Sequence, residues 1–119
     1  MAEHNDFGNQ GEEIAANYLL KNGYSIHERN WRYRKAEVDI IAQKDDVLAV
    51  IEVKTRSSNY FGNPQDFVNK KKMQLLTEAI DEYVNKYQLD VEVRFDIIAI
   101  LKNKNQFEIE HLEDAFFHF

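Results

Sequence analysis

Two apolar segments joined by a short polar turn constrain this chain more than any other feature. Ala36–Ala42 and Val47–Lys54 are rich in Ile, Val and Ala and flank Gln43-Lys44-Asp45-Asp46, the pattern of a β-hairpin set into a core. Into that setting the sequence inserts Glu37, Asp39, Glu52 and Lys54. Side chains alternate across a strand, so Glu37 and Asp39 share one face, as do Glu52 and Lys54. With the turn closing over residues 43–46, Ala42 pairs with Val47, Glu37 faces Glu52, and Asp39 lies diagonal to Glu52. All four polar groups then fall on one side, whereas a slip of one residue would separate them.

The flanking sequence supplies the layers that cover such a hairpin. An apolar stripe of Ile14, Ala15, Tyr18 and Leu19 predicts a helix from about Gly8 to Asn22, stopped at Asn22-Gly23. Tyr24–Tyr33 reads as a strand and Ser57–Pro64 as a mobile loop. A second helix is expected over Asn69–Tyr87, where Met73, Leu76, Ile80, Tyr83, Val84 and Tyr87 mark one buried stripe. Asp90–Leu101 and Phe107–Glu110 read as strands, and the tail Glu113–Phe119, with Phe116, Phe117 and Phe119, as a short docked apolar turn or helix or, if exposed, an association surface. No repeat, low-complexity tract or linker interrupts the chain, so residues 1–119 are read as a single domain. The order α-β-β-β-α-β-β predicts an α/β fold with a central mixed sheet flanked by helices.

Composition removes several function classes. The chain has no Cys, which excludes a disulfide framework, Cys-ligated zinc, an iron–sulfur cluster and a thiol nucleophile. Glu3, Asp6, Glu12 and Glu13 leave no apolar core near the start, so no signal peptide is expected. Apolar runs reach five residues, as in Val47–Ile51, against the roughly 20 a membrane span needs. A cytoplasmic protein without a membrane partner is the expectation. His4, His27, His111 and His118 show no metal-ligand spacing and read as solvent or core residues.

Three carboxylates and a lysine on one patch repel and desolvate one another unless something compensates. A divalent cation does so: Mg²⁺ prefers oxygen ligands and is commonly held by one or two carboxylates with water and substrate phosphate. Such an ion clamps a phosphate oxygen and acidifies an attacking water, and Lys54 is placed to orient that water or meet charge on the phosphate. The plainer alternative is a surface ion pair between Glu52 and Lys54, worth about 0–1 kcal/mol. The surrounding Ile40, Ile41, Val50, Ile51 and Val53 argue against so exposed a setting.

Glu52-Val53-Lys54, with Asp39 upstream, resembles the PD-(D/E)XK signature of restriction-endonuclease-like nucleases. More fully, the chain resembles the YraN-like family of small bacterial proteins, itself similar to archaeal Holliday-junction resolvases. The matching pieces are Gly11-Glu12, Gly23-Tyr24, Arg29-Asn30-Trp31-Arg32, Glu37-Val38-Asp39-Ile40-Ile41 and Glu52-Val53-Lys54-Thr55-Arg56. Lys71, Leu75, Ala79, Arg94-Phe95-Asp96 and Ala115-Phe116 follow in order. Two positions depart from the pattern: Val38 stands where the nuclease signature has proline, and Ala36 where the family usually has glycine. The resemblance implies a restriction-endonuclease-like three-layer core. It also implies Asp39 and Glu52 as ligands of Mg²⁺ or Mn²⁺, the Val53 carbonyl as a third ligand, Lys54 as the catalytic lysine, and Glu12 as a helix carboxylate reaching the same site. On the residues alone, Glu12 reads as a carboxylate favoured near a helix start.

The charge distribution suits an anionic partner. Net charge is −6, yet residues 21–35 and 53–72 each carry +4, leaving −14 on the remainder. A polarised molecule of this kind can present one basic face. Arg29, Arg32, Arg34 and Lys35 precede the strand bearing Asp39, Arg56 follows Lys54, and Lys70, Lys71 and Lys72 open the second helix. All are candidate phosphate contacts, or else solvated surface charges. Trp31 and Tyr33 are suited to stacking on an unpaired base or to packing. Asp96, in an apolar strand, needs a partner, expected on a helix or beside the site. The reading is a metal-dependent endonuclease acting on nucleic acid, DNA rather than RNA, at branched or single-stranded structures. A homodimer is expected from the resolvase comparison. A binding module that retains the fold without cleaving, and a scaffold assembled through the Phe-rich tail, are the alternatives.

Overall fold

The computed structural model describes residues 3–56 and 69–115, with side chains described from Gln10 onward in the first segment. The expectations for the Ser57–Pro64 loop and the Phe116–Phe119 tail lie outside the described residues. Two helices, α1 (Glu3–Lys21) and α2 (Lys70–Tyr87), accompany five strands: β1 (Ser25–Tyr33), β2 (Ala36–Lys44), β3 (Val47–Arg56), β4 (Glu92–Asn103) and β5 (Gln106–Leu112). The strands lie in the order β1-β2-β3-β4-β5. β3 and β4 are parallel, and the other neighbours are antiparallel. The parallel pair requires a crossover, which contains α2.

The core is split by the sheet. On one face Ala15, Ala16 and Leu19 of α1 pack with Ile40, Ala42, Ala49, Ile51, Ile98 and Ile100. On the other, Leu76, Ala79, Ile80 and Tyr83 of α2 pack with Ala36, Val38, Ile41, Leu48, Val50 and Ile97. The result is the expected three-layer α/β core. Both helix ends use predictable chemistry. Gly23 takes φ +91° just beyond α1, while the Asn69 side chain accepts the Lys72 N–H at 2.8 Å and caps α2.

The β2–β3 hairpin differs from expectation in its register. Lys44 pairs with Val47 and Ala42 with Ala49, so the turn is Asp45-Asp46 rather than residues 43–46. Asp45 adopts φ +55°, a conformation that Asp tolerates better than most residues. The shift is by two residues, so every side chain keeps its face. Pairing ends at Ile40 and Ile51, and the next position along each strand is Asp39 on β2 and Glu52 on β3.

Alternation also breaks at this point. Ala36 and Val38 pack under α2, whereas Ile40 and Ala42 pack under α1, so β2 changes faces at Asp39. The neighbouring position on β1 is Asn30, between the paired residues Arg29 and Trp31, and it has φ +51°. The expectation that Glu37 and Asp39 share a side rests on unbroken alternation, which the chain does not maintain there, yet both residues line one cavity.

Candidate active site

Where β2 and β3 part, the Asp39 side chain takes the place of a strand partner: Val53 N–H donates to Asp39 Oδ2 at 2.7 Å. Asp39 is therefore fixed in the fork between the strands. Burial pushes its carboxyl up to about 6, the Val53 N–H and Lys54 act in the opposite direction, and the nearby Glu12 and Glu52 carboxylates add to the rise. Two strands and α1 thus bring three carboxylates within electrostatic reach of one another.

Glu52 projects toward α2. Its Oε1 pairs with Lys72 Nζ, and its Oε2 lies 3.7 Å from Lys54 Nζ. Oε2 is nevertheless buried without a hydrogen-bond donor, an arrangement that leaves a carboxylate oxygen under-satisfied. Asp39 and Glu52 line a cavity of about 340 Å³ with Lys35, Ala36, Glu37, Asn69, Lys71, Lys72, Leu75 and Leu76. Its walls carry carboxylates from the sheet and ammonium groups from α2 and the β1–β2 turn.

Glu12 reaches this region because α1 approaches β3 with no side chain between them. A Cβ on Gly11 would lie 2.0 Å from Thr55 Cγ2, so the absence of a side chain at position 11 sets how closely the helix sits beside the Lys54–Thr55 segment. This contact was not anticipated, since residues so far apart in sequence give no local sign of close approach. Asn69 was likewise read only as a helix boundary, yet it lines the cavity while capping α2.

The basic residues divide into two groups. Lys35, Lys71 and Lys72 line the cavity. Arg29 instead pairs with Glu13 of α1 at 3.1 Å, and Arg32 pairs across the strands with Glu37 at 2.9 Å, both exposed. Arg34 lies over the Tyr33 ring at 5.3 Å, Arg56 Nη1 donates to the Thr55 carbonyl at 2.7 Å, and Lys70 is exposed at the start of α2. Trp31 and Tyr33 stack on each other with planes 8° apart, and Trp31 meets Tyr83 edge-on. Packing accounts for both.

Asp96 has a different environment from either expectation. It is fully buried on β4, gripped by Arg94 of the same strand through Nε–Oδ1 and Nη2–Oδ2 contacts of 2.9 Å. His111 of β5 donates to Oδ2 at 2.8 Å, and Asp114 N–H donates to Oδ1 at 3.0 Å. Its partners come from strands and a turn, not from a helix. Burial alone would raise this carboxyl, but His111, Arg94 and the Asp114 amide together hold it below the ordinary range.

The donor set in the fork is all oxygen, which suits Mg²⁺ or Mn²⁺ rather than a soft metal. Among the described residues no group of three or more His, Cys, Asp or Glu side chains is placed to hold a metal ion. Asp39 and Glu52 would therefore hold an ion together with water and substrate oxygens. The unsatisfied Glu52 Oε2 and the Asp39 and Glu52 carboxylates lining one cavity fit such a group. Among the described residues no helix is long and apolar enough to cross a membrane.

Comparison with known proteins gives the family. The model of the Uncharacterised protein family UPF0102 matches residues 11–100, an interval that contains Glu12, Asp39, Glu52, Lys54 and all of α2. A UPF0102 protein of Flavobacterium psychrophilum is 59% identical over 119 residues, spanning 100% of both chains. A second, from Phocaeicola vulgatus, is 51% identical over 98% of this chain and 97% of its own. A third, from Bacteroides thetaiotaomicron, is 44% identical over the same shares. With a family match over most of its length and relatives this similar from end to end, the chain belongs to the YraN-like UPF0102 family.

Proposed function

We propose that this protein is a metal-dependent endonuclease of the restriction-endonuclease-like kind, hydrolysing phosphodiester bonds in DNA at branched or single-stranded positions. One observation carries the reading. Asp39 is held by a backbone N–H in the fork of two central strands, beside a Glu52 carboxylate with an unsatisfied buried oxygen. Half-buried carboxylates that share a cavity are destabilising without a cation, and a fork that retains them is suited to holding one. The Glu52-Val53-Lys54 signature resemblance supports the same reading.

Asp39 and Glu52 would hold Mg²⁺ or Mn²⁺, which when bound supplies Lewis-acid stabilisation of a phosphate oxygen and lowers the pKa of an attacking water. Lys54, beside Glu52 Oε2, offers a cationic donor to the water or to charge developing on the phosphate. Glu12 adds negative charge from the α1 side and strengthens the preference for a cation. Lys35 and Lys71 offer positive charge to flanking phosphates where they line the cavity.

The test is cleavage of a panel of linear, flapped and four-way DNA with Mg²⁺ or Mn²⁺. Wild type should cleave at least one structure, and Glu52→Ala and Lys54→Ala should each reduce the rate by at least about a hundredfold while retaining the wild-type circular-dichroism spectrum. DNA binding by wild type without cleavage of any member would favour a non-catalytic binding module.

A further inference from the structure

Glu52 already has a cation of the protein's own. Lys72 Nζ sits on Glu52 Oε1, while the neighbouring Oε2 has no hydrogen-bond donor and only the more distant Lys54 ammonium, at 3.7 Å. The Glu52 side chain is 15% exposed and Lys72 is 32% exposed, so the pair sits at the mouth of the cavity. Lys72 is also in an unfavourable position on its helix. Lys70, Lys71 and Lys72 crowd the N-terminal turn of α2, which contains no acidic residue, although that end of a helix disfavours positive charge. Pairing with Glu52 offsets the penalty at Lys72.

From this geometry we infer that Lys72 is the resident counter-ion of Glu52 and competes with a divalent cation for its carboxylate. A metal ion held by Asp39 and the unsatisfied Glu52 Oε2 would stand next to the Lys72 ammonium on Oε1 of the same carboxylate, and the two cations would repel strongly. Ion entry would therefore weaken or displace the Lys72 contact. Lys72 is a positioning residue: it holds the Glu52 carboxylate in place in the metal-free protein, and its displacement sets metal affinity. This inference rests on the metal-site reading above.

Isothermal titration of the full chain with MnCl₂ tests it without reference to cleavage. Lys72→Met removes the charge and retains most of the stem, so it should bind Mn²⁺ about tenfold more tightly than wild type. Lys72→Arg, which keeps a cation, should remain near the wild-type value. Lys72→Gln serves in place of Lys72→Met if the latter does not fold, with the same expected tightening. Without metal, Lys72→Met should melt below wild type, since Glu52 loses its counter-ion, and saturating Mn²⁺ should close the gap. Equal or weaker Mn²⁺ binding by a folded Lys72→Met, with binding abolished in Asp39→Asn, overturns the competition and leaves the site standing. Absence of Mn²⁺ binding in wild type and Lys72→Met alike overturns both.

Discussion

At Asp39, burial and two neighbouring carboxylates favour the protonated form, and the Val53 N–H and Lys54 only partly oppose them. The folded value of about 6 lies above the ordinary 3.8. Between those limits the unfolded chain releases a proton that the folded chain retains, so stability falls as pH rises across the window and remains lower above it. Asp39→Asn keeps an acceptor for Val53 N–H while removing the charge. It is expected to stabilise the protein by about 1–3 kcal/mol at neutral pH, with the gain vanishing below about pH 4. Urea unfolding at the two pH values measures the difference. The same substitution should eliminate the Mn²⁺ titration signal. A residue that is both destabilising and required for ligand binding is a common feature of functional sites.

At the scale of elements, the helix–strand contact at Gly11 governs how closely α1 approaches the fork. Gly11→Ala gains helix propensity of up to about 1 kcal/mol, but the added methyl overlaps the short, branched Thr55 side chain, and overpacking typically costs about 1–3 kcal/mol. The expected outcome is a net loss of stability together with weaker Mn²⁺ binding, because Glu12 moves with the helix. Gly11→Ala combined with Thr55→Ser, which removes the clashing methyl, should recover both. The seven described elements were readable in order from apolar patterning and turn residues, which depend on near neighbours, although α1 begins at Glu3 rather than near Gly8. Asp39 and Glu52 were readable because carboxylates in apolar strands are conspicuous, and a two-residue error in the turn leaves the parity of faces intact. The break in alternation at Asp39 gave no such sign, since it depends on how two strands pack against different helices. Lys72 was legible as a basic residue but not as the partner of Glu52, because the chain between them leaves and returns.

Over the whole molecule, the buried Asp96 cluster adds polar links between elements that the apolar core and the sheet already hold together. Arg94 Nη2 also donates to the Tyr24 hydroxyl at 2.7 Å, and the Tyr18 hydroxyl of α1 lies 3.1 Å from His111 Nδ1. Through these contacts α1, β4, β5 and the turn at Asp114 share one polar network. Asp96→Asn leaves Arg94 short of its paired charge and is expected to cost about 3–5 kcal/mol, measured by urea unfolding at neutral pH. Because the folded Asp96 carboxyl is held below its ordinary range, its contribution is present above that range and lost as pH falls through the depressed value. The same Asp→Asn exchange should therefore act with opposite signs at positions 39 and 96. The basic face is also narrower than the two +4 segments suggest. Arg29 and Arg32 are engaged with Glu13 and Glu37, leaving Lys35 and Lys71 lining the cavity beside the Glu52-paired Lys72.

The Asp45-Asp46 turn lies at the far end of the hairpin from the fork, and both residues are exposed. Since the sequence contains no cysteine, a thiol introduced at Asp46 would be unique. A fluorophore attached there would report on tumbling and on partner capture from a point remote from the chemistry.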